Sequence, residues 1–213
     1  MYEVSLALAT VAQIPAQISA ALDQLETIYK PQNISPETVH NPVYVAVLDV
    51  LFDLSRSPHP QTQAVLKKLI KTPWKVPPET SRWLKRLAYA AAAGNPLRFF
   101  SLASVADQEI DAILQGTTPK PTSHIPLRKA ALLSLLHSTT QHLRAHTWDM
   151  LRFAYRETGT PWLKKAMQFT EDAELGTWLQ IKEQAGEVVG EVVASPSSRW
   201  KLVRKQQTQA IKR

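Results

Sequence analysis

Cysteine is absent from this 213-residue chain. Without a thiol, the chain forms no disulfide, no thiolate nucleophile and no cysteine-ligated zinc or iron–sulfur site. The absence suits a reducing cytosol or nucleus. Long apolar runs are missing as well: the stretch 87–93 is far shorter than the roughly 20 residues that a membrane-spanning helix needs. Near the N-terminus, Glu3 stands where a secretory signal would carry positive charge. We therefore expect a folded protein that works without a membrane.

Glycine is scarce, with 6 residues against 15 prolines. Most prolines lie between segments of helical hydrophobic spacing, where a missing amide hydrogen at a helix start costs little. Ile18, Leu22 and Leu25 illustrate the three- and four-residue spacing of one buried helical stripe. The predicted helices span residues 3–12, 15–30, 42–55, 60–71, 79–93, 96–103, 107–115, 125–143, 146–157, 161–168 and 171–184.

Helices of this length, with short joints that contain proline, are typical of stacked antiparallel hairpins, the architecture of helical solenoids. A compact bundle fits nearly as well. Strand signals are confined to residues 186–193 and 199–203, which flank a turn-forming segment at 195–198. The hairpin that they predict follows two predicted helices, between which Thr170 is the expected N-cap. Helix, helix and hairpin follow one another in this order in a winged helix.

The sequence thus predicts an all-α fold of stacked helical hairpins with a C-terminal winged-helix-like module that carries a small β-hairpin. We expect a helical-repeat region at 1–145, the winged-helix-like module at 146–205 and a basic tail at 206–213.

None of the last fifteen residues is acidic, so the basic residues in this segment contribute strongly to the net charge of +7. Strand alternation places Trp200 and Leu202 on one face and Arg199, Lys201 and Val203 on the other. A cationic outer face of this kind can bind the phosphates of a nucleic acid. The alternative interpretation is that the terminal basic residues form a solvated tail. The candidate nucleic-acid-binding residues are Arg199, Lys201, Arg204, Lys205, Lys212 and Arg213.

Signatures of catalysis are also missing: the chain has no glycine-flanked serine, no phosphate-binding loop and no HExxH motif. His142 and His146 are four residues apart, near His137 and Asp149, and could place two imidazoles on one metal ion. Arg144 between them disfavours a bound cation. We expect no enzyme, no cofactor and no metal, and retain a histidine–metal hydrolase as the remote alternative.

Aromatic residues support two further hypotheses. Trp74 and Trp83 are surrounded in the sequence by the basic residues Lys71, Lys75, Arg82, Lys85 and Arg86. The two tryptophans either pack in the core or form a mixed aromatic and basic surface patch. Leu175, Trp178 and Leu179 on the last predicted helix either bind a partner or, more simply, pack against helix 161–168.

Six segments carry a resemblance to a known family. They are 24–29 (QLETIY), 41–48 (NPVYVAVL), 88–100 (AYAAAAGNPLRFF), 125–133 (IPLRKAALL), 161–169 (PWLKKAMQF) and 171–179 (EDAELGTWL). In these segments the chain resembles the GANP/Sac group of PCI-like proteins, relatives of the helical lid subunits of the proteasome and of initiation-factor subunits. It departs from that group in the weakness of its aromatic-rich acidic helix and in the absence of a long region for binding further export factors.

The resemblance implies a PCI/TPR-like helical scaffold with a winged helix, which pairs with another PCI-type subunit and a small acidic subunit and binds RNA or DNA with little sequence specificity. It also implies a nuclear complex linked to transcription, mRNA processing or export. We therefore expect the chain in the nucleus and retain the cytoplasm as a second location. The alternative is a lid-type subunit of a proteasome-like or initiation-factor-like assembly that acts through protein contacts alone.

Overall fold

The computed structural model describes residues 2–28, 42–56, 67, 76–115, 124–191 and 199–203. Its helices are α1 Tyr2–Val11, α2 Pro15–Ile28, α3 Pro42–Arg56, α4 Pro78–Ala92, α5 Pro96–Ala103, α6 Ala106–Gln115, α7 Ile125–Ala154, α8 Thr160–Met167 and α9 Asp172–Gln184. Its strands are β1 Glu157–Gly159, β2 Val188–Glu191 and β3 Arg199–Leu202. None of these described helices is both long enough and apolar enough to cross a membrane.

The chain divides into two compact units, Met1–Leu143 and Arg144–Arg213, and the boundary falls within α7. In its described residues, the first unit contains helices joined by turns and no strand. The second contains helices and a small antiparallel sheet. The prediction of a mostly helical protein with a late β-hairpin is therefore confirmed.

Prolines mark the helix starts, as the sequence predicts. Pro15, Pro42, Pro78 and Pro96 are the first residues of α2, α3, α4 and α5. At that position a helix leaves the backbone N–H without an intrahelical partner, so proline costs nothing there. Before Pro96, the Asn95 side chain caps α5 by accepting a hydrogen bond of 3.0 Å from the backbone N–H of Arg98. The helix predicted at 60–71 lies outside the described residues, apart from Lys67.

Two details of the predicted C-terminal half are wrong. The predicted break between helices 125–143 and 146–157 does not exist, because residues 142–147 contain neither proline nor glycine and α7 continues through them. That helix ends at Ala154, and residues 157–159 form β1 instead. This strand has only three residues and is held by pairing with β3, so local sequence gave no signal for it.

The core of the first unit is centred on α3. Tyr44, Val47, Leu48, Leu51 and Leu54 are fully buried there, and eleven of the helix's fifteen residues are buried. A helix that is apolar on nearly all sides is typical of a central position among other helices. A buried ion pair between Glu3 of α1 and Arg128 of α7 joins two elements around this core.

The second unit has one core shared by its helices and its sheet. The sheet order is β1-β3-β2, with antiparallel pairing on both sides of β3. The buried side chains are Trp148 from α7, Leu163 and Met167 from α8, Phe169 from the turn after α8, Leu175 and Leu179 from α9, and Val188 and Leu202 from the hairpin. Helix α9 begins at Asp172 after Glu171, so Thr170 does not occupy the predicted N-cap position.

Candidate nucleic-acid interface

Strand β3 presents the alternation that the sequence predicts. Arg199 and Lys201 are exposed, whereas Trp200 is half-buried and Leu202 is buried in the core of the unit. The two cations therefore lie on the outer face of the sheet. The other four candidate residues, Arg204, Lys205, Lys212 and Arg213, lie outside the described residues.

Close packing of Trp200 on Gly190 holds the two strands of the hairpin together. The two residues are paired across β2 and β3, and a Cβ on Gly190 would lie 2.8 Å from Cζ3 of the Trp200 ring. Only glycine lets the indole lie this close to the neighbouring strand. The Trp200 indole N–H also donates to Oγ1 of Thr160 at 2.9 Å, which connects β3 to the start of α8.

One of the two cations in the sheet, Lys201, is paired with a carboxylate residue. Glu157 of β1 is exposed and is the register partner of Lys201. Directly opposed residues in an antiparallel pair have Cβ atoms about 5 Å apart, and opposite charges there attract each other. The described part of the sheet face is thus mixed in charge. Sequence analysis missed this feature because the pairing with Glu157 depends on β1.

Glu187, just before β2, joins three elements of the second unit. Its Oε2 accepts a hydrogen bond of 2.7 Å from the Trp148 indole and lies 3.2 Å from Lys182 Nζ and 3.3 Å from Arg152 Nη1. Burial raises the pKa of Glu187, but the Trp148 and Lys182 hydrogen bonds and the charges of Lys182 and Arg152 outweigh burial and lower the pKa below its ordinary value. Glu187 therefore stays ionised and anchors the hairpin to α7 and α9.

Arg144 fixes the turn between α8 and α9. Its guanidinium donates to the carbonyl oxygens of Met167 at 3.1 Å and Gln168 at 2.9 Å, and it pairs with Glu174 at 2.9 Å. It also lies 4.0 Å from the centroid of the Phe169 ring, a cation–π distance. These contacts assign Arg144 a structural role that its sequence position between two histidines does not reveal.

The histidines of the metal hypothesis are not gathered into a site. His137 and His142 are exposed and His146 is half-buried on α7. Asp149 lies 3.7 Å from Arg152, with which it forms an ion pair. Across the described ranges, no three His, Cys, Asp or Glu residues lie close enough to hold a metal ion. A histidine–metal site has no geometric support there.

Trp83, Leu175 and Leu179, for which the sequence left a binding role open, are buried within their own units. Trp83 is buried, and its indole N–H donates to the carbonyl oxygen of Leu102 at 3.1 Å. Leu175 and Leu179 are buried in the core of the second unit and Trp178 packs against it, so these side chains are used within the unit. Arg82 and Arg86 are exposed and Lys85 is half-buried on α4. Trp74, Lys71 and Lys75 lie outside the described residues.

The sequence did not predict an exposed aromatic pair near the sheet. The ring centroids of Tyr155 and Trp162 are 5.2 Å apart, and both side chains remain partly exposed. Phe153, two residues before Tyr155, is 78% exposed. The two paired residues are seven positions apart, on either side of the three-residue strand β1.

The chain matches no protein-family model, no curated protein and no solved structure.

Proposed function

We propose that the protein is a non-catalytic scaffold subunit, built from stacked helical hairpins and a C-terminal winged helix. The observation that carries the proposal is the order of elements in the second unit: α7, β1, α8, α9, β2 and β3, with sheet order β1-β3-β2 around one core. A winged helix has a helix, a short strand, two helices and a two-stranded wing in this order, with the last strand in the middle of the sheet. The helices upstream form the scaffold.

The resemblance to the GANP/Sac group supplies the cellular context of the proposal. On that basis the chain pairs with another PCI-type subunit and a small acidic subunit, in a nuclear complex linked to transcription and to mRNA processing or export. A net charge of +7 favours association with acidic partners and with nucleic acid.

The nucleic-acid contact is assigned to the outer face of β3 and the segment that follows it. Arg199 and Lys201 are exposed on that face, and Arg204 and Lys205 come next in the sequence. Each phosphate that such cations neutralise releases counterions, so the affinity falls as salt rises. Contacts of this kind are made to the sugar–phosphate backbone and do not read sequence.

The test is the affinity of the full chain for single-stranded RNA and duplex DNA across a salt series. The variant replaces Arg199, Lys201, Arg204 and Lys205 with glutamate, and a control makes the same charge change at Arg82, Lys85, Arg86 and Arg98 in the first unit. We expect the first variant to lose binding with unchanged helicity, and the control to retain most of it. Equal binding by the first variant and the wild type would show that the wing does not contact the nucleic acid.

One observation favours a second candidate, a lid-type subunit that contacts only proteins. Glu157, the register partner of Lys201, gives the sheet face a mixed charge, which suits a protein surface better than a phosphate backbone. Absence of binding to either nucleic acid at low salt would favour this candidate.

A further inference from the structure

An exposed aromatic pair flanks strand β1. Tyr155 follows the end of α7, and Trp162 lies in the first turn of α8. Their ring planes are inclined at 59°, and the side chains are 47% and 42% exposed. Aromatic pairs usually stabilise a core or an interface, where their apolar surface is removed from water. This pair leaves much of that surface in water, which is typical of a binding surface.

The backbone on both sides of the pair is fixed by the sheet. The backbone N–H of Leu202 donates to the carbonyl oxygen of Arg156 at 2.8 Å, directly after Tyr155. On the other side, the Trp200 indole N–H donates to Thr160, two residues before Trp162. The aromatic pair is therefore preformed, and a ligand that binds it does not have to bear the entropic cost of ordering it.

A basic residue lies close in the chain to each aromatic residue. Arg156 is the neighbour of Tyr155 in the chain, and Lys165 is one helical turn after Trp162 on the same side of α8. Both basic side chains are exposed. The adjacent Lys164, in contrast, lies 2.7 Å from Asp172, with which it forms an ion pair.

Aromatic rings with neighbouring cations are the elements that bind single-stranded nucleic acid. Unpaired bases stack on the rings, and the phosphates contact the cations. Duplex DNA offers the same phosphates, but its bases are already stacked on each other. Protein interfaces are also rich in Tyr, Trp and Arg, but they are depleted of lysine, which is present here as Lys165. The combination of rings and cations thus favours a single strand over both a duplex and a protein.

We infer that Tyr155 and Trp162 form a stacking platform for an unpaired base, with Arg156 and Lys165 as the flanking phosphate contacts. This inference rests on the proposed nucleic-acid binding of the second unit. It goes further in two respects: it assigns the contact to residues outside the wing, and it names single strands as the preferred ligand.

The experiment measures the affinity of the full chain for a short oligouridylate and for a duplex of equal length by fluorescence anisotropy at low salt. Tyr155→Ala and Trp162→Ala each remove one ring. Stacking contributes about 1–3 kcal/mol per base, which corresponds to a loss of affinity of roughly 5- to 150-fold. We expect a loss in this range for the single strand and an unchanged affinity for the duplex.

Two further variants separate stacking from a change in fold. Trp162→Phe keeps an aromatic face and is expected to retain most of the affinity. Phe153→Ala removes a more exposed ring that lies outside the pair, and we expect no change in binding. Thermal unfolding and far-UV circular dichroism check that all four variants fold like the wild type.

The possible results distinguish this inference from the proposed function. Unchanged single-strand affinity in both alanine variants, with salt-sensitive binding retained, would overturn the platform and leave the proposed function in place. Absence of binding by the wild type to either nucleic acid would overturn both. A loss of single-strand affinity with Phe153→Ala equal to that with Trp162→Ala would identify a general apolar surface and also overturn the platform.

Discussion

Glu3 and Arg128 lie 125 positions apart in the sequence and form a buried ion pair in the first unit. The Arg128 guanidinium also lies 5.4 Å from the centroid of the Tyr44 ring. Burial raises the pKa of Tyr44 above its ordinary value of 10.0, although the charge of Arg128 acts in the opposite direction, so the hydroxyl stays neutral beside the pair. The pair thus connects α1 and α7 to the central helix α3.

Arg128→Met should strongly destabilise the first unit, because it removes the guanidinium that pairs with the buried Glu3 carboxylate. Breaking a buried pair from one side costs about 3–5 kcal/mol, whereas replacing both partners with apolar residues costs much less. The double variant Glu3→Leu, Arg128→Met should therefore recover part of the loss in urea unfolding. The control is Arg82→Met, which breaks an exposed pair with Glu79 and should cost no more than about 0.5 kcal/mol. Equal costs for Arg128→Met and Arg82→Met would contradict this account.

Gly190→Ala should destabilise the second unit by about 1–3 kcal/mol, because the added Cβ displaces the Trp200 ring from the hairpin. Gly176 provides the matched control. It lies within α9, and a Cβ there meets no atom within 4 Å. Gly176→Ala should therefore stabilise the unit by about 0.5–1 kcal/mol through helix propensity. Chemical unfolding followed by tryptophan fluorescence measures both changes, and the same sign for the two variants would disprove the packing argument.

Glu187→Gln should remove a pH-dependent part of the stability of the second unit. The folded state lowers the pKa of Glu187 below its ordinary value of 4.5, so the stabilisation is present above pH 4.5 and is lost as the pH falls through the folded-state pKa. We expect the variant to be about 1–2 kcal/mol less stable than the wild type at pH 7, with a difference that shrinks below pH 4.5. Urea unfolding at several pH values measures it. A difference that is independent of pH would show that the charge of Glu187 is not responsible.

Arg144→Lys should cost about 1–3 kcal/mol although it preserves the charge. A lysine ammonium cannot contact the Met167 and Gln168 carbonyls, Glu174 and the Phe169 ring with the planar geometry of a guanidinium. Hydrogen exchange of the amides between α8 and α9 should speed up more than that in the rest of the second unit. Protection as in the wild type at this turn would contradict the role given to Arg144.

Local signals in the sequence predict most of the helices, because proline at a helix start and apolar spacing act within a few residues. Pro15 and the stripe of Ile18, Leu22 and Leu25 predict α2 without any knowledge of its neighbours. Strand β1 is different, since its three residues form a strand only through pairing with β3. The false break in α7 has another cause: residues near 144 lack strong helix periodicity but also lack a residue that ends a helix.

The candidate site was predictable only in part for the same reason. The alternation of Arg199, Trp200, Lys201 and Leu202 is a property of one strand, so the sequence indicates which side chains face outward. The opposition of Glu157 to Lys201, and the approach of Tyr155 to Trp162, depend on β1 and hence on tertiary pairing. No local pattern contains that information.

The most direct test of the central claim is amide hydrogen exchange of the full chain with and without a saturating single-stranded oligonucleotide. If the second unit binds nucleic acid as proposed, protection should appear in peptides that cover residues 153–165 and 199–203, with little change in α3 and α4 of the first unit. Protection confined to the first unit, or no protection under conditions where binding is measured, would contradict the account.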